Sequence, residues 1–251
     1  MAAGWYEAVR QGSIYFALID EWNGTSWSIV PSPSPYHLGG GAILRSISCT
    51  SASRCTAVGE TLVFETSDGG LVPHPLVESW DGTAWTIVPT PRNPNSGAIL
   101  KGVSCSSPSM CIAVGSVGRP RSPTDSTLAE EWNGVSWRVV STPPANPGGT
   151  ALLGVSSPST RSCTAVGYDA YDNSFGTSLT LAEMWNGTRW RRFPAPAPGG
   201  SGVLGGISCA SRSVCVSVGQ HDVSSGNLIR ATLGRCGTAG DGPSPRRRTL
   251  P

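Results

Sequence analysis

Charge is scarce in this chain. Only 14% of its 251 residues are Asp, Glu, Lys or Arg, and the formal net charge is +2. That is too small a balance for a protein that tracks nucleic-acid phosphates. No apolar run approaches the ~20 residues of a membrane-spanning helix, so no span of that kind is expected. Histidine and methionine number three each. There is no H-E-x-x-H helix, G-x-S-x-G elbow or phosphate-cradling glycine loop, so those hydrolase, protease and nucleotide-binding signatures are missing. Apolar spacing of helical period is nowhere sustained over three turns, which excludes a helix bundle. The start, "MAAGWYEAV", has neither the basic nor the apolar segment of a secretory leader.

What the chain does have is glycine, proline, tryptophan and cysteine, at 32, 21, 9 and 8 residues. With 38% hydrophobic residues it can still build a core, so disorder throughout is excluded. Most tryptophans fall into one recurring string: "WNGTSW" (22–27), "WDGTAW" (80–85), "WNGVSW" (132–137) and "WNGTRW" (185–190). A motif that returns every fifty residues or so, roughly, is a building unit rather than a catalytic signature.

Three further pieces recur in fixed order around it. An apolar run ends in Ser-Cys or its equivalent: "ILRSISC" (43–49), "ILKGVSC" (99–105), "LLGVSS" (152–157) and "VLGGISC" (203–209). A second piece begins at a cysteine: "CTAVG" (55–59), "CIAVG" (111–115), "CTAVG" (163–167) and "CVSVG" (215–219). A third enters the tryptophan motif, and a fourth leaves it as "WSIVP", "WTIVP", "WRVVS" and "WRRFP". Each piece is short, rich in Val, Ile and Trp, and bounded by Gly or Pro, which are strand signals. The fold class is therefore all-β, with antiparallel units of four strands.

Asn-Gly and Asp-Gly favour a type I′ turn, because both central residues of that turn need positive φ. Centring the turn on Asn133-Gly134 places Trp132 and Trp137 diagonally on one sheet face, where they clamp the hairpin. Asp20, Glu78, Glu130 and Glu183 each stand two residues before the first tryptophan. Four identical placements predict a structural hydrogen-bonding role rather than a converging catalytic pair.

Cysteines six positions apart recur as Cys49/Cys55, Cys105/Cys111 and Cys209/Cys215, and each pair is predicted to bridge a hairpin. Ser157 replaces the first cysteine of the third unit, leaving Cys163 and Cys236 unmatched; a bridge between these two is one option that the sequence leaves open. The spacing is not a usual zinc set and no histidine recurs beside it, so no metal site and no cofactor are predicted. Regular disulfides point to an oxidising, extracellular location.

The composite string "SCxSxxxCxAVG … EWNGTSWxxVPxP" resembles tandem repeats of secreted bacterial β-propeller proteins. One residue short, its turn is also distantly similar to the Asp-box of sialidase-like propellers. The resemblance implies a β-propeller of about 50-residue, four-stranded blades, four to five in number, with an incomplete ring as one form. It implies no activity, since the sialidase arginine triad and nucleophile pair find no counterpart here. Residues 1–235 form the repeats, with partial blades at 2–30 and 203–233 and full blades at 43–88, 99–140 and 152–193. Residues 236–251, with Arg246–Arg248, read as a disordered Gly/Pro/Arg tail. Segment 203–219 is expected to approach the N-terminal strands and close a small ring; otherwise the open sheet edges favour self-association.

Connections that differ from copy to copy share one face of such a scaffold: 60–75, 116–127, 168–180 and 220–227, with the Pro/Gly links between units. Recognition belongs on variable loops held by a rigid frame. The candidate binding residues there are Tyr168, Asp169, Tyr171 and Asp172 of "YDAYDNSF" and the neighbours His221 and Asp222. The sequence thus reads as a non-enzymatic extracellular module that binds a glycan or a protein through that face. The alternative is a fragment of a sialidase-like hydrolase or lyase whose catalytic site lies outside the chain.

Overall fold

The computed structural model describes residues 1–9, 13–33, 41–64, 70–91, 97–118, 125–144, 146, 148–170, 178–195, 201–223 and 227–236. Among them there is no helix. Five antiparallel meanders follow one another along the chain. The first holds β1 (Ala2–Val9), β2 (Ser13–Trp22) and β3 (Trp27–Val30). The second holds β4 (Ala42–Ser51), β5 (Arg54–Phe64), β6 (Leu71–Trp80) and β7 (Trp85–Ile87). The third is β8 (Gly97–Ser107), β9 (Met110–Gly118), β10 (Ser126–Trp132) and β11 (Trp137–Val139). The fourth is β12 (Thr150–Ser159), β13 (Ser162–Ala170), β14 (Ser178–Trp185) and β15 (Trp190–Phe193). The fifth is β16 (Gly202–Ser211), β17 (Val214–Val223) and β18 (Asn227–Cys236). The tail from 237 on, with its arginine run, lies outside the described residues.

Sheets stack face to face in chain order, so a strand such as β9 that lies between two neighbours is buried on both faces. Val58 and Val77 of the second sheet meet Leu100, Val103 and Trp137 of the third. Met110, Ile112 and Val114 of the third meet Leu152, Trp185 and Trp190 of the fourth. Each tryptophan pair therefore faces the sheet before it. Serines of the first strands bind the sheets together: Ser48 Oγ accepts from the Cys105 N–H at 3.0 Å, Ser104 Oγ from Ser157 N–H at 2.9 Å, and Ser156 Oγ from Cys209 N–H at 3.0 Å. Among the described strands no sheet closes on itself, and packing runs from neighbour to neighbour without broad contact between the fifth sheet and the first. The expected closure of 203–219 onto the N-terminal strands is not formed.

The cysteine expectation holds. Cys49–Cys55, Cys105–Cys111 and Cys209–Cys215 are disulfides with Cα separations of 4.0, 3.9 and 4.0 Å. Cys163 is a buried free thiol, so it makes no bridge to Cys236. The reason is topological: Cys163 packs between the third and fourth sheets, whereas Cys236 ends a strand of the fifth. Burial pushes the Cys163 thiol up to about 12, which keeps it protonated and inert.

The turn expectation requires correction. Trp132 stands directly opposite Trp137, not diagonal to it, and the same holds for the other three pairs. Asn133 N–H donates to Ser136 O, so the turn centres on Gly134 and Val135, one residue later than Asn133-Gly134. Gly134 has φ 95°, and positive φ at the first central residue is the type II′ pattern. Asn133 closes the turn with its side chain, whose Oδ1 accepts from the N–H groups of Val135 and Ser136 at 2.9 and 3.0 Å. In the second sheet Asp81 does the same work. The Ala84 N–H, then the Thr83 hydroxyl and N–H, hold its carboxyl down to about 2.

Candidate functional site

Long second and third strands move several candidates out of the loops in which the sequence reading placed them. Tyr168 and Asp169 lie in β13, paired with Ala151 and Thr150 of the first strand. His221 and Asp222 lie in β17, paired with Ile229 and Leu228. His74, too, is a strand residue of β6, opposite Thr61. Pairing to a neighbouring strand satisfies more backbone groups than a loop would, so the strands run on to the limit of the pairing. Tyr171 and Asp172 lie outside the described residues.

Asp169 is already engaged. Its Oδ2 accepts from Asn146 Nδ2 and from Arg192 Nη1, each at 2.7 Å. Arg192 Nε lies 3.9 Å from Glu183 Oε1, extending the buried network across the sheet. These partners make Asp169 part of the frame. His221 Nδ1 is buried without a hydrogen-bond partner among the described residues.

The structure adds a group that the sequence reading missed, at the loop-bearing ends of the first strands. Each of those strands carries a bulge at an equivalent position, where Arg45, Lys101, Leu153 and Gly205 are left unpaired. A bulge bends its strand and re-aims the side chain it carries. Arg45 forks onto Glu60, with Nε to Oε2 at 2.7 Å and Nη2 to Oε1 at 2.5 Å. Lys101, on the next bulge, is shifted down, first by burial and then by the neighbouring Arg45 charge. Burial, and after it the charge of Asp125, shifts the Tyr168 hydroxyl up.

The recurring glycine of "AVG" belongs to the same device. A Cβ on Gly59, Gly115 or Gly167 would fall 1.9, 1.8 or 1.9 Å from the carbonyl oxygen of Ile43, Ile99 or Ala151. The bulged strand therefore passes directly over a bare Cα. That repeated Val-Gly was the available signal for the bulges, and so for Arg45 and Lys101.

A concavity of about 130 Å³ opens between the second and third sheets, lined by Arg54, Thr56, Trp80, Cys111, Trp132 and Trp137. It exists because Arg54 and Thr56 occupy the places that Met110 and Ile112 fill one sheet later. The Trp132 ring is only partly covered in consequence, while its indole N–H donates to Pro108 O at 3.2 Å.

The glutamates before the tryptophans are buried in the layers between sheets: Glu78, Glu130 and Glu183 are at most 1% exposed. Burial pushes Glu78 up to about 7, Glu130 to about 8 and Glu183 to about 7. A hydrogen-bonding role is visible for Glu78, whose oxygens accept from Ser32. Among the described residues Glu130 Oε2 and both Glu183 oxygens have no hydrogen-bond partner, so the expected role is not seen at Glu183. Among the described residues no cluster of three or more His, Cys, Asp or Glu could hold a metal ion, and no helix is long and apolar enough to cross a membrane.

No family model and no curated protein matches this chain. Solved structures do. One is a protein of unknown function from Dyadobacter fermentans DSM 18053, 13% identical, covering 90% of this chain and 84% of that one with a TM-score of 0.46. Another is YCF48 bound to D1 peptide, 12% identical, covering 80% of this chain and 71% of that one with a TM-score of 0.35.

Proposed function

We propose that this chain is a run of β-propeller blades that works outside the cell as a non-catalytic module, binding a glycan or a protein through its variable-loop face. The observation that carries the reading is the pair of cations on successive bulges, Arg45 and Lys101, with the Tyr168 ring at the same ends of the strands. A rigid frame that aims a half-buried ammonium and an aromatic hydroxyl toward variable connections is suited to recognition. Three disulfides in a chain of this size support the extracellular location.

A glycan and extracellular-protein array probed with the purified chain tests this. Lys101→Ala and Tyr168→Ala should each weaken the binding at least ~10-fold, which is ~1.4 kcal/mol, with melting temperature unchanged. Binding indifferent to both changes would sink the assignment of the face. Turnover of a sialoside in the same preparation would sink the non-catalytic reading.

A further inference from the structure

We infer that the two end faces of the sheet stack are complementary halves of one interface, and that a second copy of this chain docks on them head to tail. The argument starts from the contact repeated inside the molecule. In the layer between the third and fourth sheets, Met110, Ile112 and Val114 of β9 cover Trp185 and Trp190, and none of the five is more than 6% exposed. Between the first and second sheets, Met1, Ala3 and Ile19 pack against the cluster that holds Trp80 and Trp85. In these two layers side chains of one sheet cover the tryptophan pair of the next; between the second and third sheets Arg54 and Thr56 stand at two of the covering places, and Trp132 is only partly covered there.

Each end of the stack presents one half of that contact exposed among the described residues. Trp22 and Trp27 of the first sheet occupy the places of Trp185 and Trp190, with ring centroids 5.6 Å apart, yet they are 47% and 57% exposed. Val214, Val216 and Val218 of β17 occupy the places of Met110, Ile112 and Val114, yet they are 52%, 41% and 52% exposed. Ser208, in the place of the sheet-bridging Ser48, Ser104 and Ser156, is exposed as well. An apolar valine row and an aromatic pair exposed together on a small protein mark an interaction surface. Among the described residues the fifth sheet does not pack broadly on the first, and each end of the chain carries the half that fits the other, so a second copy can seat on either face. Because the two halves differ, the contact is heterologous, and copies add in a ring or a filament.

Sedimentation velocity of the full chain over a wide concentration range tests this. The wild type should associate as concentration rises. Val216→Lys blocks the valine face and Trp27→Lys the tryptophan face, so each variant alone should sediment as a monomer. Mixed in equal amounts they should form a dimer and nothing larger, since each retains the half that the other has lost. Val216→Thr and Trp27→Gln, milder changes at the same exposed positions, should weaken association at least tenfold with an unchanged circular dichroism spectrum. A wild type monomeric throughout, including one in which the chain covers its own ends, overturns the inference. So does association that survives these substitutions, or a mixture that fails to pair.

Discussion

The Ser32 hydroxyl, on the link that leaves the first sheet, lies within hydrogen-bond distance of both carboxylate oxygens of Glu78 in the second, at 3.0 and 2.8 Å. One side chain from a connecting segment thus shares in solvating a carboxylate that packing has removed from water. Ser32→Ala should cost about 1–3 kcal/mol above pH 7, where Glu78 is ionised. Urea denaturation at pH 5, where the carboxyl is neutral, should show a smaller loss. Equal losses at the two pH values would mean that Ser32 acts through packing instead.

Glu78, Glu130 and Glu183 together set a pH dependence. Each has a folded pKa raised above the ordinary carboxylate value of roughly 4.3. Their contribution is therefore fully present below that value and is lost as pH rises toward 7 for Glu78 and Glu183 and 8 for Glu130. From this source the chain should be more stable near pH 5 than near pH 8. Glu130→Gln should flatten the curve and stabilise by about 1–3 kcal/mol at pH 8 by removing a buried charge. A denaturation midpoint that climbs between pH 5 and pH 8 in the wild type would contradict the assignment.

Two glycines should fail for different reasons. Gly134→Val forces a β-branched residue to φ 95° and sets its Cβ 3.1 Å from Ser109 Cβ. A loss of about 1–3 kcal/mol is expected from backbone strain. Gly115→Ala keeps an ordinary backbone but drives a methyl onto the Ile99 carbonyl, so it should be at least as damaging. Thermal melts of both variants check the order; an unchanged Gly115→Ala midpoint would rule out the close approach.

Ser157→Cys restores the missing mate of Cys163, since Ser157 stands where Cys49 and Cys105 stand in the units before it. The variant should form a fourth hairpin disulfide and gain about 2 kcal/mol in the chain-entropy account. Intact mass under non-reducing conditions, with thiol counting, would show the free thiol of Cys163 gone. A persistent pair of free thiols would show that this hairpin differs from the other three.

Much of this was written in the sequence. Val-rich pieces bounded by Gly and Pro gave antiparallel meanders because strand preference and turn chemistry are local properties. Cysteines six apart on either side of a tight link have nowhere to go but across it. The chain alone also marked the Asn or Asp before each turn glycine as a turn residue, though one position off, and showed the recurring Gly of "AVG" without the bulge that passes over it. Asn133 shifts the turn by one residue because its side chain supplies the acceptor that a backbone carbonyl would otherwise provide, and pattern alone does not register that choice.

Tertiary structure decided the rest. Arg45 and Lys101 become neighbours only because bulges recur at the same height in adjacent sheets. Asp169 becomes a frame residue only because Asn146 and Arg192 arrive from elsewhere. Above all, identical tryptophan pairs meet opposite fates. Trp185 and Trp190 are core because a sheet lies in front of them, while Trp22 and Trp27 face solvent because none does. Burial is a property of what packs against a residue, and a sequence repeat fixes the residue but not its neighbour.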